Sequence, residues 1–228
     1  MSVHCVAGMH VGRQKNLAEL CIIGCSRRLF LSTVLPDRRW VFWGYFMAQY
    51  QIAVVVGSLR KDSFNSKLAG ALEKLFPADF SFIQVRIDDL PLYNQDDDGH
   101  PCGQVTRLKD EIAAAQGVLF FTPEYNRSVP GVLKNAIDHA SRPYGKSSWN
   151  GKPAAIMGAS VGPIGTAMAQ QHLRNILAYL NMPTLGQPEA FIHNKEGLYD
   201  ADGNIGEASQ KFLQSWVDAY VAWVKRHA

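Results

Sequence analysis

Short apolar runs alternate with amphipathic stretches over most of the chain, and this alternation predicts strands followed by helices. The first run, residues 52–56, has five consecutive apolar side chains and ends at Gly57. Such a run, bounded by a turn residue, is typical of a strand that is buried on both faces of a sheet. Leucines at helical spacing come next and Pro77 ends that stretch, so the pattern predicts a strand followed by a helix.

The same alternation repeats four more times after Pro77. Residues 81–87 alternate less regularly than the other runs, which indicates a more exposed strand at the edge of the sheet. The later predicted strands lie at 117–122, at 153–157 and within 184–192, and the predicted helices at 105–115, 131–140, 166–180 and 208–225. This alternation predicts right-handed crossovers and a five-stranded parallel sheet in the order 2-1-3-4-5, with helices on both faces.

Two further patterns bear on packing and on metal binding. The last predicted helix carries an aromatic stripe, which indicates packing in the core or in a dimer rather than a cofactor contact; the stripe consists of Phe212, Trp216, Tyr220 and Trp223. The predicted loop at 88–103 contains three consecutive aspartates, Asp96 to Asp98. We interpret them as a solvated turn, because a metal would need further ligands from elsewhere.

A sheet of this strand order binds ligands at the carboxyl ends of its strands, beside the first strand. The loop after that strand, Gly57 to Asn65, places Ser58 and Ser63 around Arg60 just before a helix. Helix N-termini offer unpaired N–H groups and a partial positive charge, which suits a phosphate. An ordinary helix cap by Ser63 or Asp62 is the alternative interpretation.

The first loop is not one of the common pyrophosphate-binding motifs. It lacks the Gly-Lys-Ser/Thr of a Walker loop and the glycines of the dinucleotide fingerprint. A monophosphate is therefore favoured over a pyrophosphate or a triphosphate. The loop after the third strand, residues 122–131, contains two prolines, so a planar ring could lie against its backbone; a tight strand–helix turn is the alternative.

The loop after the fourth strand, predicted at 158–165, contains Gly-Ala-Ser-Val-Gly around Ser160, which matches the nucleophile elbow of serine hydrolases. Asp200 or Asp202, and then His227, follow in the order that a catalytic triad requires. Three observations disfavour this function: the elbow would come after only four strands, a proline follows closely, and His227 is the penultimate residue.

With these segments in view, the body of the chain resembles the NAD(P)H-dependent FMN reductase family, in particular its chromate and quinone reductase members. The resemblance covers about residues 50 to 195 and does not reach residues 1 to 46. It is carried by Gly-Ser-Leu-Arg-Lys-Asp-Ser-Phe-Asn at 57–65, Pro-Glu-Tyr-Asn at 123–126, Ser-Val-Pro-Gly-Val-Leu-Lys-Asn-Ala-Ile-Asp at 128–138, Gly-Lys-Pro at 151–153 and Ser-Val-Gly at 160–162. His139 stands where many relatives carry Trp, so packing there is expected to differ.

The resemblance implies a flavodoxin-like three-layer α/β sandwich with non-covalent FMN and with NADPH or NADH as electron donor. The first loop would hold the phosphate and ribityl end of FMN through Ser58, Arg60, Ser63, Phe64 and Asn65, with Leu59, Lys61 and Asp62 completing the loop. The isoalloxazine would lie against Pro123, Glu124, Tyr125, Asn126 and Arg127, and Ser160 would contact it from the third loop. A homodimer or homotetramer with the flavin near the subunit interface is implied as well.

The implied chemistry comes from the cofactor rather than from a catalytic side chain. NAD(P)H would reduce the flavin and leave, and a quinone, an azo compound, chromate or free flavin would then take the electrons, which is a ping-pong scheme. An electron-carrier module without turnover of its own is the alternative. Such carriers tend to be strongly acidic, whereas this body is near neutral, and Arg60 and Arg127 suit an anionic partner.

Charge and cysteine content exclude several other classes of function. Residues 1–46 carry six basic and two acidic residues, which leaves 17 basic and 18 acidic residues in the rest of the chain. A near-neutral body gives no electrostatic basis for binding nucleic acid. Only Cys102 lies in the body, so the simplest location is the cytoplasm. Cys21 and Cys25 lack the partner ligands of a zinc site.

The first 46 residues are predicted to be an extension without its own fold. Their apolar patches are interrupted by charges and prolines, so none is long enough to span a membrane and none forms a signal peptide. Met47 directly precedes the first predicted strand, and we expect it to be the natural start of a single domain, residues 47–228. A genuine but poorly ordered arm is the alternative.

Overall fold

The computed structural model describes residues 20–25, 28–34, 40–45 and 50–228, with side chains from residue 50 onward. The chain divides into two compact units, residues 1–49 and 50–228. In the first unit, strands β1 (Leu20–Cys25), β2 (Arg28–Val34) and β3 (Trp40–Tyr45) form an antiparallel sheet in the order β1-β2-β3. The sequence pattern predicts none of these strands. Cys21 and Cys25 lie on β1, and Cys5 lies outside the described residues.

The second unit alternates strands and helices along its whole length. Its elements are β4 (Tyr50–Val56), α1 (Phe64–Glu73), β5 (Phe80–Val85), α2 (Gly103–Ala114), β6 (Gly117–Phe121), α3 (Gly131–Ala140), β7 (Ala154–Ser160), α4 (Ala167–Tyr179), β8 (Phe191–His193) and α5 (Glu207–His227). The five strands are parallel and lie in the order β5-β4-β6-β7-β8. This is the predicted order 2-1-3-4-5, with the second strand at the edge, so the flavodoxin-like topology is confirmed.

The sheet is covered on both faces, and this explains the continuous apolar run of β4. Ile52 and Val54 pack in one core with α1 and α5, whereas Ala53 and Val55 pack in a second core with α2, α3 and α4. Successive side chains of a strand point to opposite faces, so a strand between two cores needs an apolar residue at every position.

Two predicted strand boundaries in the second half of the chain were wrong. β7 continues to Ser160 instead of ending at Met157, because Gly158, Ala159 and Ser160 pair with Phe191, Ile192 and His193 of β8. β8 is correspondingly short, and Thr184 forms only an isolated bridge to Ala154. The first three residues of the predicted third loop are therefore sheet.

Helix α5 packs most of its aromatic stripe into the core, as predicted. Trp216 and Tyr220 are buried, and the indole Nε1 of Trp223 donates to the carbonyl oxygen of Pro183 at 2.9 Å. Phe212, at the solvent end of the stripe, is exposed. None of the described helices is both long enough and apolar enough to cross a membrane.

Candidate functional site

Three loops meet at the carboxyl ends of β4, β6 and β7. We define them as the first loop (residues 57–63), the second loop (122–130) and the third loop (161–166). The backbone N–H of Gly57 donates to Phe121 O at 2.8 Å and joins the first loop to the end of β6. A Cβ at Gly57 would lie 3.1 Å from the side chain of Leu133, so glycine allows the first loop to pack closely against α3.

Ser63 is the N-cap of α1. Its backbone is extended, with φ −67° and ψ 123°, and its hydroxyl oxygen accepts a hydrogen bond from the N–H of Ser66 at 3.2 Å. The side chain is buried. The sequence allowed either Ser63 or Asp62 as the cap. In the structure Ser63 is the cap, and Asp62 is exposed to solvent.

The backbone of the first loop is rich in unused donors. The N–H groups of residues 58–65 donate no hydrogen bond to any residue that the structure describes. Residues 60–64 line a cleft of about 930 Å³ between this loop and residues 194–200. Its lining includes the basic residues Arg60, Lys61, Lys67 and Lys195 and the acidic residues Asp62, Glu196 and Asp200, and the guanidinium of Arg60 lies 5.0 Å from the ring centroid of Phe64. Unpaired N–H groups beside several cations suit an anion such as a phosphate.

Asn65 connects α1 to β7. Its amide Nδ2 donates to Ala159 O at 3.2 Å, and its Oδ1 accepts from Ala159 N at 2.9 Å. The side chain is buried. The resemblance gave Asn65 a place beside the phosphate and ribityl chain, but here both polar atoms of its side chain are bound to backbone. Its observed role is to position the first turn of α1.

The second loop contains a two-residue turn. Tyr125 and Ser128 exchange backbone hydrogen bonds at 3.1 and 3.0 Å, and the residues between them have positive φ, 52° at Asn126 and 62° at Arg127. Positive φ at both central positions is the type I′ arrangement. The hydroxyl of Ser128 lies 3.0 Å from Nδ1 of His172 on α4, which fixes one end of the turn.

The carboxylate of Glu124 caps the N-terminus of α4. Its Oε2 accepts hydrogen bonds from the N–H groups of Met168 at 2.9 Å and Ala169 at 3.0 Å. Sequence reasoning placed Glu124 against the ring and missed this contact, which lies 44 residues away along the chain. The only sequence signal is indirect: the first turn of α4 has no acidic residue of its own to stabilise its free N–H groups.

The third loop packs tightly against Gly158 of β7. A Cβ at Gly158 would lie 2.0 Å from Thr166 Oγ1 and 2.2 Å from Thr122 O, so no larger residue fits without a rearrangement. Thr166 is buried, and its hydroxyl accepts from Nε2 of Gln170, which also donates to Ala190 O. These contacts hold the start of α4 against β7.

The catalytic triad considered from the sequence is not assembled. Ser160 Oγ donates to Gly162 O at 3.1 Å, and neither aspartate nor His227 contacts it. Asp200 accepts from the backbone N–H groups of Asp202 and Asn204, and His227 Nδ1 lies 2.8 Å from Trp223 O. The serine hydrolase alternative was therefore wrong for Ser160.

Two further positions singled out from the sequence lie away from the three loops. His139 is buried, with Nε2 2.9 Å from Pro91 O and its ring edge-on to Tyr93 at 5.4 Å. The run Asp96 to Asp98 lies at an exposed single turn of 3-10 helix. Within the described ranges, no three His, Cys, Asp or Glu side chains are grouped to hold a metal ion.

Known proteins share this chain's sequence and fold. A family described as NADPH-dependent FMN reductase matches residues 50–197. The chain is 57% identical over 176 residues to a 2-hydroxy-1,4-benzoquinone reductase of a Burkholderia species, an alignment that covers 77% of this chain and 96% of that relative. It is 48% identical over 177 residues to a quinone reductase of Pseudomonas putida, with 77% and 95% of the two chains covered.

A solved structure is similar over the same region. FerB, a flavoenzyme NAD(P)H:(acceptor) oxidoreductase from Paracoccus denitrificans, superposes with a TM-score of 0.75 at 49% sequence identity. The match covers 78% of this chain and 98% of that one. The sequence comparison therefore finds FMN and quinone reductases, and the structure comparison finds a flavoenzyme oxidoreductase.

Proposed function

Since this chain belongs to the NADPH-dependent FMN reductase family, we propose that it reduces quinones through FMN bound across the three loops. It is an NAD(P)H-dependent flavin oxidoreductase, and its cofactor is FMN. Azo compounds, chromate and free flavin are further proposed acceptors, because a flavin reduces many oxidants without specific contacts. The cytoplasm is the proposed location.

The observation that carries the proposal is the contrast between two helix N-termini at the same edge of the sheet. The N-terminus of α4 is closed by the Glu124 carboxylate, whereas the backbone N–H groups of residues 58–65 donate to none of the described residues. The carboxylate at the start of α4 repels a phosphate dianion, whereas the N–H groups of residues 58–65 attract one. The first loop therefore fits the phosphate of FMN, with Ser58 and Arg60 as proposed side-chain donors.

The second and third loops fit the flat ring of FMN. Tyr125, Val161, Ile164 and Met168 are all large apolar side chains that remain exposed on these loops and on the first turn of α4. Exposed apolar groups of this kind mark binding sites for apolar ligands. We propose that the ring lies against Pro123 to Arg127, with Ser160 at its edge.

When bound, FMN would supply the redox chemistry that carries electrons from NAD(P)H to an acceptor. The protein's own residues hold the cofactor in place. The first loop binds its phosphate, Asn65 and Glu124 fix the surrounding backbone, and the rigid turn at Asn126 presents the second loop. We expect donor and acceptor to bind in turn at this site, which predicts ping-pong kinetics.

The proposal is tested by the absorbance spectrum of the purified protein, recorded anaerobically before and after NADPH is added. A bound flavin that bleaches with NADPH and recovers its absorbance with a quinone supports the proposal. A protein that takes up no FMN overturns it. A bound flavin that NADPH and NADH fail to reduce would instead indicate the electron carrier. Initial rates at several NADPH and quinone concentrations then test the ping-pong scheme, which requires parallel double-reciprocal lines.

We propose assembly as a homodimer or homotetramer as well. Leu92 and Tyr144 remain 86% and 87% exposed in the isolated chain, and we propose that assembly buries them. Sedimentation equilibrium measures the mass in solution. A mass of one chain at micromolar concentration would contradict the assembly while leaving the flavin chemistry intact.

A further inference from the structure

Arg127 has a backbone conformation that arginine rarely adopts. Its φ of 62° lies in the left-handed region, where a Cβ meets the neighbouring peptide and glycine is strongly preferred. The second central position of a type I′ turn is usually glycine for this reason. The preceding residue, Asn126, is one of the few side chains that tolerate positive φ. The strain is therefore concentrated at Arg127.

The side chain of Arg127 has no partner among the residues that the structure describes. It is exposed, and it forms no ion pair, hydrogen bond or aromatic contact with them. By contrast Arg60, the other arginine of the loops, stacks on Phe64. Strained backbone positions of this kind cluster at active sites and ligand clamps.

The position of Arg127 indicates what kind of ligand it contacts. The turn projects from the second loop, and its base is held by the Tyr125–Ser128 backbone pair and by the contact between Ser128 and His172. A rigid turn fixes the backbone of Arg127 within the second loop, which lowers the conformational entropy lost when its side chain binds a ligand. A guanidinium in such a place binds oxyanions through charge-assisted hydrogen bonds.

We propose that Arg127 is a specificity-determining residue that binds an anionic oxygen on the molecule stacked on the flavin. This inference rests on the proposed function. The shared chemistry is an oxyanion, which has two sources in the reaction. One is the 2′-phosphate of NADPH, which NADH lacks. The other is the ionised hydroxyl of a hydroxyquinone, whose charge spreads over the quinone carbonyls. Donor and acceptor use the same face in turn, so one arginine can serve both.

Two substitutions separate the side chain from the strain. Arg127→Gln removes the charge and keeps the strained backbone, whereas Arg127→Gly removes both. Both variants are expected to lose at least tenfold in kcat/KM for the anionic partner, a loss that corresponds to about 1.4 kcal/mol. Only Arg127→Gly is expected to raise the melting temperature of the flavin-free protein, by about 2 to 4 °C. Lys211→Gln, which removes an exposed positive charge on α5, is the control for net charge.

The two sources are distinguished by paired measurements. The ratio of kcat/KM for NADPH to that for NADH, together with the calorimetric affinity for 2′,5′-ADP, tests the phosphate. The pair 2-hydroxy-1,4-benzoquinone and 1,4-benzoquinone tests the acceptor. A variant in which kcat/KM falls for NADPH relative to NADH, or for the hydroxyquinone relative to 1,4-benzoquinone, supports the proposal and names the source. Unchanged ratios in both pairs overturn it, because each ratio is taken within one variant and a general loss of FMN or of turnover cancels. Failure of the wild type to bind FMN would instead overturn the proposed function.

Discussion

Gly158 is the residue at which one added methyl group is expected to do most damage. Its missing Cβ leaves room for Thr166 Oγ1 and for the carbonyl oxygen of Thr122, which would otherwise lie at 2.0 and 2.2 Å. We expect Gly158→Ala to destabilise the protein by about 3 kcal/mol or more, because the added Cβ would meet a buried side chain and backbone, neither of which can move away easily. Urea unfolding of the flavin-free protein measures this change.

Gly162 provides the matched control, since it lies four residues away in the same Gly-Ala-Ser-Val-Gly segment. A Cβ there would meet only Ser160 Oγ, at 3.9 Å, so Gly162→Ala is expected to unfold as the wild type does. Equal stabilities for the two variants would contradict the packing argument. This contrast also separates the role of Gly158 in packing from any role of the motif in catalysis.

Ser58 and Asn65 lie in one sequence motif, but their side chains are expected to do different work. Ser58→Ala should weaken FMN binding by about 1 to 3 kcal/mol through a lost phosphate hydrogen bond, without changing the stability of the flavin-free protein. Asn65→Ala should lower that stability by a similar amount, because it leaves both buried polar atoms of Ala159 without a partner. Flavin fluorescence titration and urea unfolding measure the two effects.

Ser215→Ala, on the exposed surface of α5, controls for the serine substitution. If Asn65→Ala weakened FMN binding without lowering stability, the side chain would belong to the phosphate site and not to the scaffold. The sequence could not decide between these roles. A helix start with Ser, Asp and Asn predicts hydrogen bonding at that turn, and Ser63 does act as the cap. The partner of Asn65 is 94 residues distant, so no local pattern reveals it.

At the scale of elements, an ion pair between Arg107 on α2 and Asp89, in the loop after β5, makes the free energy of unfolding depend on pH. Arg107 Nη1 and Nη2 donate to the two carboxylate oxygens of Asp89 at 2.8 and 2.9 Å, and this pairing lowers the Asp89 pKa from 3.8 to about 2. A carboxyl group whose pKa is lower in the folded state stabilises that state fully above its unfolded pKa. The contribution is lost as the pH falls through the folded value.

We therefore expect the stability difference between wild type and Arg107→Gln to shrink as the pH falls from about 4 toward about 2, the window between the two Asp89 pKa values. Urea unfolding across this range measures the difference, and carboxyl NMR follows Asp89 directly. In Arg107→Gln the Asp89 pKa should return toward 3.8. A difference that does not vary with pH would show that the ion pair contributes nothing.

Helices were easier to predict from the sequence than strand ends. The predicted helix 131–140 coincides with α3, since its apolar spacing, a proline before it and its length all act locally. The end of β7 depends instead on whether a neighbouring strand continues beside it, and β8 supplies that partner for residues 158–160. Glu124 shows the same limit, because its partners on α4 are set by how two loops meet in space.

For the whole molecule, the order of strands could be predicted because parallel βαβ connections have few permitted arrangements. The three strands between residues 20 and 45 could not, since apolar patches broken by charges and prolines match no clear period. Within residues 50–228, the two core clusters cover the two faces of the five-stranded sheet. We therefore expect a chain that starts at Met47 to keep the melting temperature and the FMN affinity of the full chain.

Calorimetry of the two chains, each with and without FMN, tests this expectation. A large fall in the melting temperature of the shorter chain would show that residues 1–46 contribute to the fold. Unchanged melting with weaker flavin binding would instead assign them a role at the site.

The double hydrogen bond between Asn65 and Ala159 holds the first turn of α1 on β7 through contacts within the protein alone. A loop that is already held loses little conformational entropy when a phosphate binds, and the same restraint opposes the opening that release requires. We therefore expect FMN to leave far more slowly than the enzyme turns over. The flavin then stays with the protein from one cycle to the next, and the reaction draws on no pool of free FMN.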